Sequence, residues 1–90
     1  MIHVMRSVKD LAARTFGRPF AVAHGNVAVR SFTDEVNRSG TADQQNDLFS
    51  HPDDFELYEL GEFDDSDGSF ACHKVPKLLA QAKEYKQRVS

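Results

Sequence analysis

What this 90-residue chain lacks narrows its chemistry before any pattern is considered. A single cysteine, Cys72, excludes a disulfide within the chain. No positively charged start followed by an apolar stretch opens the sequence, so secretion is not expected and a cytosolic protein is. Apolar runs are short, far below the roughly 20 residues that a helix needs to cross a bilayer, so no membrane partner is expected. Tryptophan is absent, and the aromatic content rests on seven Phe and two Tyr. A second core could not be built from so little chain, so one domain over residues 1–90 is expected. Its stability should be only about 3 to 5 kcal/mol, and self-association would add to it.

Signs of catalysis and of cofactors are missing too. No phosphate-binding loop, glycine-rich dinucleotide turn or nucleophile elbow occurs. The run Asp64-Asp65-Ser66-Asp67-Gly68 alternates carboxylates before a glycine, as calcium loops do. With Gly68 in the sixth position, however, such a loop would start at Phe63 and end at Lys74, where an acid and a bidentate glutamate are required. His3, His24, His51, His73 and Cys72 are the soft ligands, and none share the spacing that sets two ligands on one helix face. Cys72 and His73 are neighbours on an expected strand and point to opposite faces. Neither a metal, a cofactor nor an enzyme is expected.

Charge is segregated behind a net value of −3. Residues 1–42 carry six bases (Arg6, Lys9, Arg14, Arg18, Arg30, Arg38) and three acids; residues 43–68 carry ten acids and no base; residues 69–90 carry five bases and one acid. Such a chain has basic ends and an acidic middle, the composition of a bipolar surface or of a solvated loop and hairpin.

Periodicity points to an α+β fold with a small mixed or antiparallel sheet. Strands are expected near 2–6, 20–23, 55–63 and 69–72. Val8, Leu11, Ala12 and Phe16 recur at helical spacing between Ser7 and Gly17, which suggests a short helix over 8–16. A central amphipathic helix near 25–38 has Ala28, Val29, Phe32 and Val36 on one face. Residues 41–50 read as a flexible loop. Phe55, Leu57 and Phe63 fall on one face of the long strand and Tyr58 and Leu60 on the other, so both faces need cover and a homodimer is expected. Gly68 supplies the hairpin turn. A C-terminal helix near 76–88 carries Leu78, Leu79, Ala82 and Tyr85 as its stripe, and its basic end, 83–90, has the composition of a frayed tail.

One segment suits nucleic acid. Arg14, Phe16, Arg18 and Phe20 interleave guanidinium groups with rings, the combination that tracks phosphates while bases stack. Arg30 and Arg38 extend the positive surface, Lys83 and Lys86 add to it from the C-terminal helix, and Phe16 and Tyr58 are the stacking candidates. The alternative partner is protein: Asp53, Asp54, Asp64, Asp65 and Asp67 would hold a basic viral or host protein.

The sequence also resembles a known family. Arg18-Pro19-Phe20, then Ala28-x-Arg30-x-Phe32 after Gly25, and above all HPDDFELYELGEFDDSDG over 51–68, continuing to Pro76-Lys77-Leu78, are similar to the small nonstructural protein of gokushoviruses, single-stranded-DNA phages of the microvirus group. The match spans about residues 2–82. It implies a phage accessory protein, absent from the finished shell and described as DNA-binding, that serves genome replication or packaging in the host cytoplasm with replication or capsid proteins as possible partners. The basic end from Ala82 to Ser90 departs from the family pattern.

Overall fold

The computed structural model describes residues 1–22, 25–41 and 45–86. Five antiparallel strands form one curled sheet: β1 (Ile2–Asp10), β2 (Thr15–Phe16), β3 (Phe20–Val22), β4 (Phe55–Asp64) and β5 (Ser69–Gln81). β1 pairs with β4 along one side, while β2 and β3 share its other side as two pieces of a returning strand. Between those pieces the Gly17 N–H donates to the Val8 carbonyl (2.8 Å), and Pro19 has no N–H to offer. β5 forms the opposite edge, paired with β4 alone.

Alternation along β1 and β4 sends Val8 and Leu57 to one face. There α1 (Gly25–Val36) packs Val29, Phe32 and Val36 against Leu57, Ala80 and Ala82, and Val36 and Leu57 are fully buried. Burying one such side chain contributes roughly 1.5 to 3 kcal/mol. Helices α2 (Asp47–Ser50) and α3 (Ala82–Tyr85) and a 3₁₀ turn at Pro52–Asp54 complete this layer. The other face of the sheet is left open by the described residues.

Several expectations need correction. The helix over 8–16 is instead the end of β1, a turn at 11–14 and β2. Ser7, Val8 and Lys9 pair continuously with Tyr58, Leu57 and Glu56, and that ladder overrides a spacing that also fits a helix. The helix over 76–88 begins only at Ala82, because β5 runs on to Gln81. β4 is apolar on both faces and recruits a partner along its length: Tyr58 opposes Leu78 and Leu57 opposes Ala80, with Leu79 as the extra residue of a bulge. Of the basic end over 83–90, Lys83 falls in α3 and Lys86 directly after it, and residues 87–90 lie outside the described ones. The supposed loop 41–50 holds α2 and the buried Asn46, whose amide donates to the Glu35 and Arg38 carbonyls (2.7 Å each) and so satisfies the end of α1; residues 42–44 lie outside the described ones. The central helix, expected to reach 38, stops at Val36.

The strands expected near 20–23, 55–63 and 69–72 are present, with residue 23 outside the described ones and β5 far longer than foreseen. Phe63 changes face. Leu60 is an extra residue of β4 between the pairs Met5–Gly61 and Arg6–Glu59, so Phe63 comes to oppose His3 on the open face. On its other side Leu60 stands alone against residues 73–76 of β5, which swell outward as an exposed bulge holding Pro76. Gly61 permits the tight curl here: at φ +154° it lets β5 cross so closely that a Cβ would overlap the Ala71 carbonyl and stand 2.7 Å from Cys72 Cα.

Candidate nucleic-acid interface

Two aromatic pairs mark the open face. Near the β1–β2 turn, Phe16 and Tyr58 meet edge to face, with centroids 5.5 Å apart and planes at 72°. Register brings them together, since Lys9 opposes Phe16 on one side and Glu56 on the other, while Ser7 opposes Tyr58. Lys9 Nζ lies 5.3 Å from the Phe16 centroid and 5.9 Å from that of Tyr58, where the ring quadrupoles attract a cation. Phe16 keeps 42% of its surface in solvent.

The polar groups beside the rings are fixed. The Tyr58 hydroxyl donates to Glu56 Oε1 (2.8 Å), and this bond raises the phenol pKa. Gln81 Nε2 donates to Glu56 Oε2 (2.9 Å). Across four strands the open face thus carries a row of Phe16, Lys9, Glu56 and Gln81, with Ser7, Tyr58 and Leu78 in the next row.

At the far end of β4 the second pair, Phe63 and Phe70, sits 4.8 Å apart, with His3 at 6.4 Å from Phe63. Here the rim is acidic. Asp64 accepts the Ser66 hydroxyl (2.6 Å) and backbone N–H (3.0 Å), and Asp67 accepts the same groups of Ser69 (2.7 and 3.0 Å). Asp65 holds the Met1 amino group (2.7 Å) and His3 Nε2 (2.8 Å). Those bonds hold all three carboxyls below the usual carboxylate range. Between the two ends lies an apolar cleft of about 160 Å³ whose lining includes Met5, Pro19, Leu60, Phe70 and the exposed thiol Cys72.

The sequence-derived candidates divide accordingly. Phe16 and Tyr58 are in contact, and Arg14 and Arg18 are exposed on the segments flanking β2, Arg14 in the left-handed conformation at φ 59°. Arg30, Arg38, Lys83 and Lys86 belong to the helical layer behind the sheet. Two of these are engaged: Arg38 grips both Glu35 oxygens at 3.1 to 3.3 Å, and Lys86 Nζ sits 3.1 Å from the Phe49 centroid and donates to the Val36 carbonyl (3.4 Å). Arg6 is also removed from the positive surface, buried with its guanidinium 3.3 Å from Glu59. Glu59 in turn meets His73 at 2.6 Å, which draws its pKa down, with Arg6 and Lys77 adding to the effect.

Nor are the acids one patch. Asp53 and Asp54 precede β4, whereas Asp64 ends it and Asp65 and Asp67 follow, ten residues or about 30 Å along the strand. Lys9, Glu56 and Gln81 went unforeseen as site residues. For Lys9 the helical assignment hid its face; for Glu56 and Tyr58, the i, i+2 spacing on an expected strand is the signal that could have joined them.

Among the described residues no cluster of His, Cys, Asp or Glu is arranged to hold a metal ion, and no helix is long and apolar enough to cross a membrane. No curated protein and no solved structure matches the chain. The family model described as Phage ORF5 protein matches residues 3–85, which takes in every strand and helix set out above apart from Ile2, and the chain belongs to that phage protein family.

Proposed function

We propose that this protein is a non-enzymatic phage accessory protein that binds single-stranded DNA on its open sheet face. The gokushovirus-like motifs extend the reading to a microvirus and to genome replication or packaging in the host cytoplasm. The observation that carries it is the Phe16–Tyr58 pair under the Lys9 ammonium, on a face that no described helix covers. Rings of this kind take unpaired bases, at about 1 to 3 kcal/mol per stacked base, while cations follow the backbone. Lys9, Arg14 and Arg18 are the phosphate contacts at this end. Arg30 and Lys83, behind the sheet, serve only a strand that wraps around the edge.

The protein-binding alternative draws less support, because these carboxylates are already engaged within the chain, Asp64 by Ser66, Asp67 by Ser69 and Asp65 by the Met1 amino group and His3. Self-association is part of the proposal: Phe70, Val75 and Leu78, all on β5, are 64%, 74% and 45% exposed, which leaves apolar surface for a second copy to cover.

Fluorescence anisotropy with a labelled single strand and its duplex, at two salt concentrations, tests the function. Micromolar or tighter binding that favours the single strand is expected, with log K falling against log salt at a slope of about −2 for three phosphate contacts. Arg14→Ala and Arg18→Ala should each make that slope shallower by about 0.7. An unchanged slope in both variants would reassign the phosphate contacts, and a folded protein that binds no strand at low salt would end the reading. A light-scattering mass of two chains is expected; one chain at high concentration would remove the dimer.

A further inference from the structure

We infer that Glu56 makes the open face select among bases, favouring cytosine over thymine. This rests on the proposal that single-stranded DNA lies on that face. A carboxylate is out of place on a surface that only tracks phosphates, because it repels them. Glu56 is nevertheless held on this face by two donors, the Tyr58 hydroxyl on one oxygen (2.8 Å) and the Gln81 amide on the other (2.9 Å). It stands opposite Lys9 in register, so the cation beside it offsets its charge.

Each oxygen of a carboxylate has two acceptor positions, and each Glu56 oxygen has one committed to these side chains. The remaining positions are aimed by the Tyr58 and Gln81 bonds, next to the ring pair on which a base would stack. In a single strand the Watson–Crick edge is free to be read. Cytosine presents its N4 amino group, the donor that acidic side chains accept in DNA recognition. Thymine places a carbonyl oxygen at that position, and two carbonyls flank its single N–H, so it sets acceptor against acceptor. The two bases have the same ring size, so the exchange of an amino donor for a carbonyl acceptor at this position is the difference that a carboxylate reads most directly.

The test compares oligo-dC with oligo-dT, each about 16 nucleotides long to cover the site of a small fold, by competition against one labelled strand at fixed low salt. Wild-type protein should hold oligo-dC about tenfold more tightly, the size of one good base contact. Glu56→Gln, whose amide offers both donor and acceptor, should bring the two within about twofold, chiefly by improving oligo-dT. A thermal melt by circular dichroism shows that the variant is folded, and the wild-type comparison stands without it. Equal affinity of wild type for both strands overturns the inference while leaving single-strand binding intact. A preference that survives Glu56→Gln overturns the role of Glu56. No binding to either strand overturns the inference together with the reading on which it rests.

Discussion

The two ends of the open sheet face are built from the same parts and differ in charge. Each has an aromatic pair at contact distance, Phe16 with Tyr58 and Phe63 with Phe70, spread over β2, β4 and β5. Over the first pair stands the Lys9 ammonium, with Arg14 and Arg18 on the hairpin beside it. Beside the second runs the Asp64–Gly68 turn, whose three carboxylates lie close to their hydrogen-bond donors. Exposed rings are therefore not a nucleic-acid site by themselves. Under the proposed function the local potential would decide which pair a polyanion approaches, and the more exposed ring, Phe70 at 64%, is on the acidic end. Phe70 is better suited to contact with protein.

The strongest way to break the comparison is at the point where the ends join. Gly61→Val should destabilise the fold by about 3 kcal/mol or more, because the new Cβ meets backbone atoms of Ala71 and Cys72 that cannot turn aside. At the stability expected of so small a chain, loss of the cooperative melt in circular dichroism is the outcome. A melt within a few degrees of wild type would show that the curl at Gly61 is not a structural requirement.

The next effect separates the ring pairs themselves. Phe16→Ala should weaken single-strand binding about tenfold with little loss of stability, since the ring is substantially exposed. Phe70→Ala should leave binding unchanged and reduce self-association, as read by anisotropy and light scattering. Equal losses of binding in both variants would mean that the strand runs the whole length of the face, acidic end included.

The smallest effect lies in acid. The Asp64, Asp65, Asp67 and Glu59 carboxyls all have folded-state pKa values below their ordinary ones, held there by Ser66, the Met1 amino group, Ser69 and His73 respectively. A lowered pKa stabilises the fold above the ordinary carboxylate range and ceases to do so as pH falls through the folded value. Melting temperature should therefore be steady from neutral pH to about 5 and decline below about 4. Glu59→Gln should flatten part of that decline; an identical acid limb would mean that the Arg6–Glu59–His73 cluster contributes nothing net.

Sequence patterning captured the parts of this fold that depend on local chemistry. The helix over Val29, Phe32 and Val36, the long strand after Pro52 and the Gly68 turn at φ +74° follow from period, breaker and backbone freedom. Elements decided by pairing partners were misjudged. Val8 to Phe16 and Leu78 to Ala82 have apolar residues three and four apart, as a helix does, yet Val8 to Asp10 and Leu78 to Gln81 are held by hydrogen bonds to β4, a strand distant in sequence. The same cause divided the site. Phe16 and Tyr58 could be named from residue type, but Lys9, Glu56 and Gln81 join them only through register across β1, β4 and β5, and the bulge at Leu60 moved Phe63 to the open face.

The interruptions on the two outer strands have a consequence for how copies of this chain meet in a crowded cell. An open sheet has two edges, and a long flat edge with unpaired N–H groups invites the strand of another molecule to add to it, the route to aggregation. On one edge β2 and β3 are broken by Arg18 and Pro19; on the other, His73, Lys74, Val75 and Pro76 swell outward against a single residue of β4. Proline removes a donor and the cations repel their counterparts, so neither side presents a continuous template. Both margins therefore disfavour growth of the sheet from chain to chain, and the proposed self-association would have to use the faces.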